Sequence, residues 1–392
     1  MMAMARRELL FIPGPVTCAP EVLASMARPM VDHRGPEYAA VLGRIAAGMR
    51  PIFGTAAEIV TLGSSGTGGL EAAIASMFSP GDRVLACPVG VFGRRLAAIA
   101  RAFGLDVEIL ETPLGAAVDP AALAQRLARP DAARFAGVLL THNETSTGVQ
   151  NDMAALARAI GRCDALVIVD SVSGLGASAF AMDDWGFDVV VTASQKALAV
   201  PPGMAMVAVS ARAWERTAKA RCARFDLDLG RARESAGAGQ TPWTPPVSVG
   251  FALDVALERY HAAGAAAAHE RHARYAAAIR AFAEAAGIAV FSRPGAHSVT
   301  VVALEVPAGQ NVAEIRTALR TEYGMTFGGG QLELAGRLLR MGTMGDLAPA
   351  DVRAGLAALA EELERRGYAG DVAAGIMAGT RVLEESALAG RA

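Results

Sequence analysis

Between residues 58 and 210, short apolar runs alternate with amphipathic stretches, and each run has the length of a single strand. The candidates are Ile59–Leu62, Arg83–Ala86, Val107–Leu110, Gly137–Leu140, Leu166–Val169, Val189–Val191 and Met206–Val209. Runs such as Leu166–Val169 and Val189–Val191 lack polar alternation, so both of their faces are expected to be covered. Strands separated by helix-length segments imply right-handed crossovers and a largely parallel sheet with helices on both sides. In such α/β sheets, ligands sit at the C-terminal ends of the strands.

The pattern breaks at residues 223–246, a Gly-, Arg- and Pro-rich stretch that reads as a long loop. A long apolar helix is expected from Val247 to His261 and beyond. It leads into a smaller α+β unit with strands near Ile288–Val290 and Ser298–Leu304, a helix over Val312–Tyr323 and terminal helices after Pro349. A chain of 392 residues exceeds the size at which one core usually stops growing. Two domains are therefore expected, at 1–255 with the N-terminal segment and at 256–392.

Composition narrows the class. Hydrophobic residues reach 53%, but alanine inflates that figure. The most apolar stretch, Ala197–Ala211, contains Pro201-Pro202-Gly203 and is too short to span a bilayer, and Met1–Arg7 has no apolar leader region. Cys18, Cys87, Cys163 and Cys222 show neither metal-like nor disulfide-like spacing, which points to reduced thiols and a cytosolic, cytoplasmic setting. A net charge of −2 offers no general attraction to nucleic acid.

Charge composition then singles out one residue. Lys and Arg together number 37, yet Lys196 and Lys219 are the sole lysines. Arginine can replace lysine in ion pairs but cannot condense with an aldehyde, so a retained lysine is a candidate for amine chemistry. Lys196 follows the apolar run Val189–Val191, where a buried strand would deliver it to a crevice. Lys219, within Ala-Lys-Ala-Arg on an expected helix, reads as solvated surface.

Two further motifs share that neighbourhood. Gly63-Ser64-Ser65-Gly66-Thr67-Gly68-Gly69 falls between a strand and a helix, where backbone N–H groups can seat a phosphate, with Ser65, Gly66 and Thr67 as donors. It lacks the Lys of a Walker loop and the spacing of a dinucleotide fingerprint, so a tight turn competes with phosphate binding. Asp170 ends the run Leu166–Val169 and is suited either to a protonated ring nitrogen or to capping the next segment. Amine, carboxylate and phosphate donors together match the needs of pyridoxal 5′-phosphate.

On these residues the chain resembles the class V aminotransferases of the fold type I pyridoxal-phosphate enzymes, near the alanine–glyoxylate and serine–glyoxylate (serine–pyruvate) group. The likeness runs from Pro13-Gly14-Pro15-Val16 to about Gly345. It rests on Asp32-His33-Arg34, Ser65-Gly66-Thr67, Thr141-His142-Asn143-Glu144-Thr145-Ser146-Thr147-Gly148, Asp170-Ser171-Val172-Ser173, Ser194-Gln195-Lys196 and Arg340-Met341-Gly342. It implies a large domain with a mostly parallel seven-stranded sheet and a smaller C-terminal α+β domain.

The resemblance also implies roles. Lys196 would be the amine bonded to the cofactor and Asp170 the partner of its ring nitrogen. Gln195 would bind the phosphate, Phe92 would stack on the ring, and Thr145 would lie beside the ring oxygen. Val172 would line the cofactor site, Gly14 the substrate side, and Arg340 would clamp the substrate carboxylate. Gln240–Pro246 resembles a segment that crosses to the neighbouring subunit of a homodimer, with Thr244 reaching that subunit's phosphate. The implied activity moves an amino group from a small L-amino acid such as alanine or serine to a 2-oxo acid such as glyoxylate or pyruvate. Open alternatives are transamination of another amine, of aminophosphonate or ureidoglycine type, and a lyase on the same fold. A cysteine desulfurase is disfavoured because residues 223–392 contain no cysteine.

Overall fold

The computed structural model describes residues 8–389. Thirteen strands occur among them: β1 Leu9–Phe11, β2 Glu58–Leu62, β3 Arg83–Cys87, β4 Asp106–Ile109, β5 Phe135–Thr141, β6 Asn143–Glu144, β7 Val149–Gln150, β8 Leu166–Asp170, β9 Val189–Ala193, β10 Ala205–Val209, β11 Val301–Glu305, β12 Met325–Gly329 and β13 Leu338–Gly342. Seven form one sheet in the order β2-β10-β9-β8-β5-β3-β4, in which β10 alone runs antiparallel to its neighbours. The α/β fold with a mostly parallel seven-stranded sheet is thus the one expected, and the expected runs form all seven strands.

The apolar runs explain the layering. Every residue of β8, β9 and β10 is buried, and successive side chains feed two separate cores. One core holds Val167, Val169 and Val190 with Leu253 and Leu257; the other holds Ile168, Val189 and Val191 with Leu70 and Ile74. Strand order reverses at β3 and β5: the chain steps outward from β3 to β4, then returns to β5 and continues through β8 and β9. Reversal opens a crevice at the C-terminal strand ends.

A second sheet has the order β1-β12-β13-β11 and packs under the helices Ala265–Ala285, Val312–Tyr323 and Pro349–Arg365. Its first strand comes from the N-terminal segment: Leu9–Phe11 pairs in parallel with Met325–Phe327. The helix Val247–Ala263 runs unbroken through residues 255 and 256, with Leu253 and Leu257 in the first core.

Three local expectations change. The segment 223–246 is not all loop, because Leu229–Gly237 is a helix whose first turn is capped by Asp228 Oδ1 accepting from the N–H groups of Gly230 and Arg231. Ile288–Val290 forms no strand; Val290 makes one isolated bridge to Leu304. The expected strand Ser298–Leu304 is confined to Val301–Glu305.

Candidate active site

Adjacent strands β5, β8 and β9 bring three parts of the sequence to one edge. Asp170 lies in register with Thr141 on one side and Val191 on the other, while β9 runs on into the turn that carries Gln195 and Lys196. The Asp170 side chain is buried, and its Oδ1 accepts from the Val172 N–H at 3.0 Å. Burial pushes its carboxyl up to about 6, with Val172 opposing, Glu144 adding to the rise, and Lys196 and Arg95 pulling it back. Lys196 Nζ donates to the Pro13 carbonyl at 2.6 Å. Burial brings its ammonium group down to about 8, while Asp170 holds it up. The outcome is a lysine able to shed its proton near neutrality beside an acid that keeps its charge there.

Gly14 shows why the N-terminal segment must approach so closely. A Cβ there would lie 2.8 Å from both Cδ and Nζ of Lys196, and its φ of +122° lies outside the range side chains favour. No other residue type leaves the lysine this space.

One end of the pocket is built to receive an anion. Ser65 caps the helix Gly66–Met77, its Oγ accepting from Gly68 N–H at 3.4 Å. The N–H groups of Gly66 and Thr67 have no acceptor within the helix, and they carry the positive end of its dipole. Gly66 packs so tightly on Val172 that a Cβ would fall 2.7 Å from Val172 Cγ2. The side-chain oxygen of Gln195 is buried without a partner, so this amide is available to a ligand.

The opposite walls come from Phe92 and from the second sheet. Phe92 is half-buried, and the Arg95 guanidinium lies 4.7 Å from its ring centre. Arg340, on β13, is buried; its Nε donates to Gly329 O at 2.7 Å and its Nη1 to Thr145 O at 2.8 Å. Burial lowers Arg340 to about 10, with Glu144 supporting its charge, so it remains a cation. Backbone bonds to Nε and Nη1 fix the plane of the guanidinium and leave Nη2 for a ligand.

Ser65, Gly66, Thr67, Phe92, Thr145, Asp170, Val172, Gln195 and Lys196 therefore line one pocket, together with Arg95, Asn143 and Ser173. Gly14 touches it through Lys196, and Arg340 through Thr145. Thr244 does not join them: it is exposed and lines a separate depression with Gly63, Asp226 and Trp243. His142 stays outside as well, with Nδ1 2.8 Å from Ser171 Oγ and Nε2 3.3 Å from Ser178 Oγ. Burial takes it down to about 4, a neutral ring suited to holding the turn after β8.

Sequence reasoning missed three contributors. Asn143 Nδ2 donates to Ser173 Oγ and Thr300 Oγ1, both at 2.9 Å, while its Oδ1 accepts from Ser298 Oγ at 2.6 Å, tying the second sheet to the pocket. Arg95 is one helical turn beyond Phe92, a spacing that places both on one face. Glu144 is wholly buried and accepts from the start of the Phe92 helix as well as from Ser146. A carboxylate and an amide amid apolar strand ends were the available signal.

These residues suit pyridoxal 5′-phosphate. The open helix end at Ser65 and the Gly66 cradle match a phosphate, to which the Gln195 NH2 can donate, and Lys196 and Asp170 match an aldehyde and a ring nitrogen. Fold and site thus define a fold type I, pyridoxal-phosphate-dependent aminotransferase. The family model for aminotransferase class-V matches residues 21–358, and the chain belongs to that family. It is similar to a protein named the small subunit of soluble hydrogenase from a Synechococcus species, at 37% identity over 97% of this chain and 99% of that one. It is also similar to the L-aspartate–glyoxylate aminotransferase of Paracoccus denitrificans, at 35% identity over 90% of each. The crystal structure of pyridoxamine–pyruvate aminotransferase from Mesorhizobium loti superposes with a TM-score of 0.91 at 30% identity, covering 98% of this chain and 99% of that one.

Proposed function

We propose that the chain transfers an amino group from a small L-amino acid, alanine or serine, to a 2-oxo acid such as glyoxylate or pyruvate. The observation that carries this reading is the half-buried Lys196 beside Asp170, in one pocket with an open helix N-terminus. Bound pyridoxal phosphate supplies an aldehyde that condenses with amines and a ring that accepts electrons when a substrate's α-proton leaves.

Each side chain then has a task. The N–H groups of Gly66 and Thr67, the Ser65 turn and the Gln195 amide hold the phosphate. Asp170 keeps a proton on the ring nitrogen, which favours electron flow into the ring. Phe92, Val172 and Thr145, which line the pocket, would hold the ring. Arg340 binds the α-carboxylate of donor and acceptor alike, and Gly14 leaves the substrate room beside Lys196. Lys196 Nζ, freed when a donor amine binds, would be the base that takes the donor's α-proton and the acid that gives it back.

Thr244 fits a different subunit. It lies outside its own chain's pocket next to the exposed pair Phe225 and Trp243, whose rings stack 5.0 Å apart. A homodimer in which this strip completes the partner's phosphate seat accounts for both observations. The spacing of Cys18, Cys87, Cys163 and Cys222, neither metal-like nor disulfide-like, supports a cytosolic location.

Relatives with named activities use donors as different as aspartate and pyridoxamine. The deciding experiment is a half-reaction screen: cofactor-loaded protein meets single amines while its visible absorbance is followed. Alanine or serine should convert the spectrum, and glyoxylate or pyruvate should restore it. Conversion by aspartate or pyridoxamine alone would reassign the donor, and no conversion by any amino acid would reject the reading.

A further inference from the structure

Two helix N-termini face this pocket, and they differ in what they hold. The Ser65 turn leaves its first N–H groups open. The helix Val91–Ala102 has all three of its leading N–H groups taken: Val91 donates to Ser146 Oγ at 3.0 Å, and Phe92 and Gly93 donate to Glu144 Oε2 at 2.9 and 3.0 Å. Glu144 Oε1 accepts from the N–H and Oγ of Ser146 at 3.1 and 2.6 Å. Each carboxylate oxygen thus faces two donors, an arrangement that leaves no site for a carboxylic proton. Burial pushes the Glu144 carboxyl upward, and the hydrogen bonds from Ser146, Gly93 and Phe92 oppose that push. Gly90 permits the approach, since a Cβ there would meet Glu144 Cγ and Ser146 Oγ at 2.5 Å.

Glu144 therefore occupies the place that a bound anion takes at other helix ends. Its neighbours link it to both walls of the pocket. Phe92 is held by its own N–H, and the next carbonyl, Thr145 O, receives the Arg340 guanidinium. We propose that Glu144 is a positioning residue: the built-in anion of the second helix N-terminus, it fixes the Phe92 ring and, through Thr145, the Arg340 guanidinium. A further consequence is that, of these two helix ends, the Ser65 turn is the one left open to a phosphate, so a ligand with a single phosphate enters in one orientation. The Glu144 charge also reaches the chemistry, favouring the protonated forms of Lys196 and Asp170 and the cationic state of Arg340.

This inference rests on the reading of the pocket as the seat of pyridoxal phosphate. The test is Glu144→Gln, which keeps the shape but removes the charge that holds the Phe92 and Gly93 N–H groups and sets an NH2 group against either these or the Ser146 N–H. In the cofactor-free variant, hydrogen exchange at Phe92 and Gly93 should accelerate about tenfold relative to the strands of the large sheet. Its dissociation constant for pyridoxal phosphate should rise about tenfold. Reductive 13C-methylation resolves just two lysines here, and the Lys196 signal should titrate about half a pH unit lower because an attracting charge is gone. A loss of thermal stability without these changes would make Glu144 a purely structural residue and overturn the proposal, as would cofactor affinity within twofold of the parent.

Should Glu144→Gln not fold, Ser146→Ala removes the hydroxyl shared by Val91 and Glu144 and should produce the same changes at smaller amplitude. A Ser146→Ala protein indistinguishable from the parent would overturn the proposal too. Borohydride reduction of the cofactor-loaded parent separates the two levels of the claim. Failure to label Lys196 there defeats the cofactor reading and this inference together, whereas labelled parent with unaffected variants defeats the role of Glu144 alone.

Discussion

The pocket around Lys196 and the strip from Phe225 to Thr244 are built in opposite ways. The first gathers its residues at the ends of β5, β8 and β9, where strand register fixes the backbone and burial shifts Asp170 and Lys196 toward neutrality. The second lies on the surface, with Phe225 64% exposed and Trp243 37% exposed, and its Thr244 lines a depression apart from the Lys196 pocket. Chemistry is preorganised within one chain; in the proposed homodimer, cofactor retention is shared between two. Substitutions in the pocket should therefore cost orders of magnitude, and those in the strip much less.

Lys196→Ala stands at the top of that scale. Steady-state transamination should fall by more than about 10³-fold, since in the proposed function the residue both bonds the cofactor and moves the proton. Turnover retained in this variant would place the amine elsewhere. Asp170→Asn should lower kcat by about 10²- to 10³-fold while leaving the protein folded, because a neutral amide cannot stabilise a proton on the ring nitrogen. Equal kcat in parent and variant would remove that role.

Arg340→Gln comes next. It should reduce kcat/KM for α-carboxylate donors about 100-fold, the cost of removing one partner from a buried charge pair. An amine without an α-carboxylate should react equally well with both proteins, and a uniform loss would mean that Arg340 merely braces Thr145.

The pH dependence of cofactor capture tests the shifted lysine. Only the neutral amine attacks an aldehyde, so capture by cofactor-free protein should rise about tenfold per pH unit and level off near pH 8. Continued rise toward pH 10 would describe a solvated lysine instead. Thr244→Ala sits at the bottom, with an expected loss of about tenfold in cofactor affinity, one hydrogen bond to a charged phosphate. The loss should disappear at dilutions that separate the subunits, and an unchanged affinity throughout would confine the strip to its own chain.

The same contrast explains what the sequence revealed. Apolar runs long enough to be buried on both faces announced the strands of the large sheet, and the motifs at their ends announced Lys196, Asp170 and the Ser65 turn. Strands formed by few or glycine-rich residues left no such trace: Leu9–Phe11 has three residues, and β12 ends in Phe327-Gly328-Gly329. The helix Leu229–Gly237 was hidden because glycine and arginine dilute its apolar face, and Asp228 supplies the cap in place of a hydrophobic pattern. Glu144 escaped for another reason. Its partners, the N–H groups of Phe92 and Gly93, lie about fifty residues away and are backbone atoms, which no side-chain motif encodes. Thr244 was legible through likeness alone, and its place outside the pocket appears only with three-dimensional structure.

The measurement that bears most directly on the account is reduction with borohydride after incubation with pyridoxal phosphate, followed by peptide mapping. One modified peptide, carrying Lys196 and not Lys219, is the predicted result. A colourless protein with no modified peptide, or label on Lys219, would contradict it.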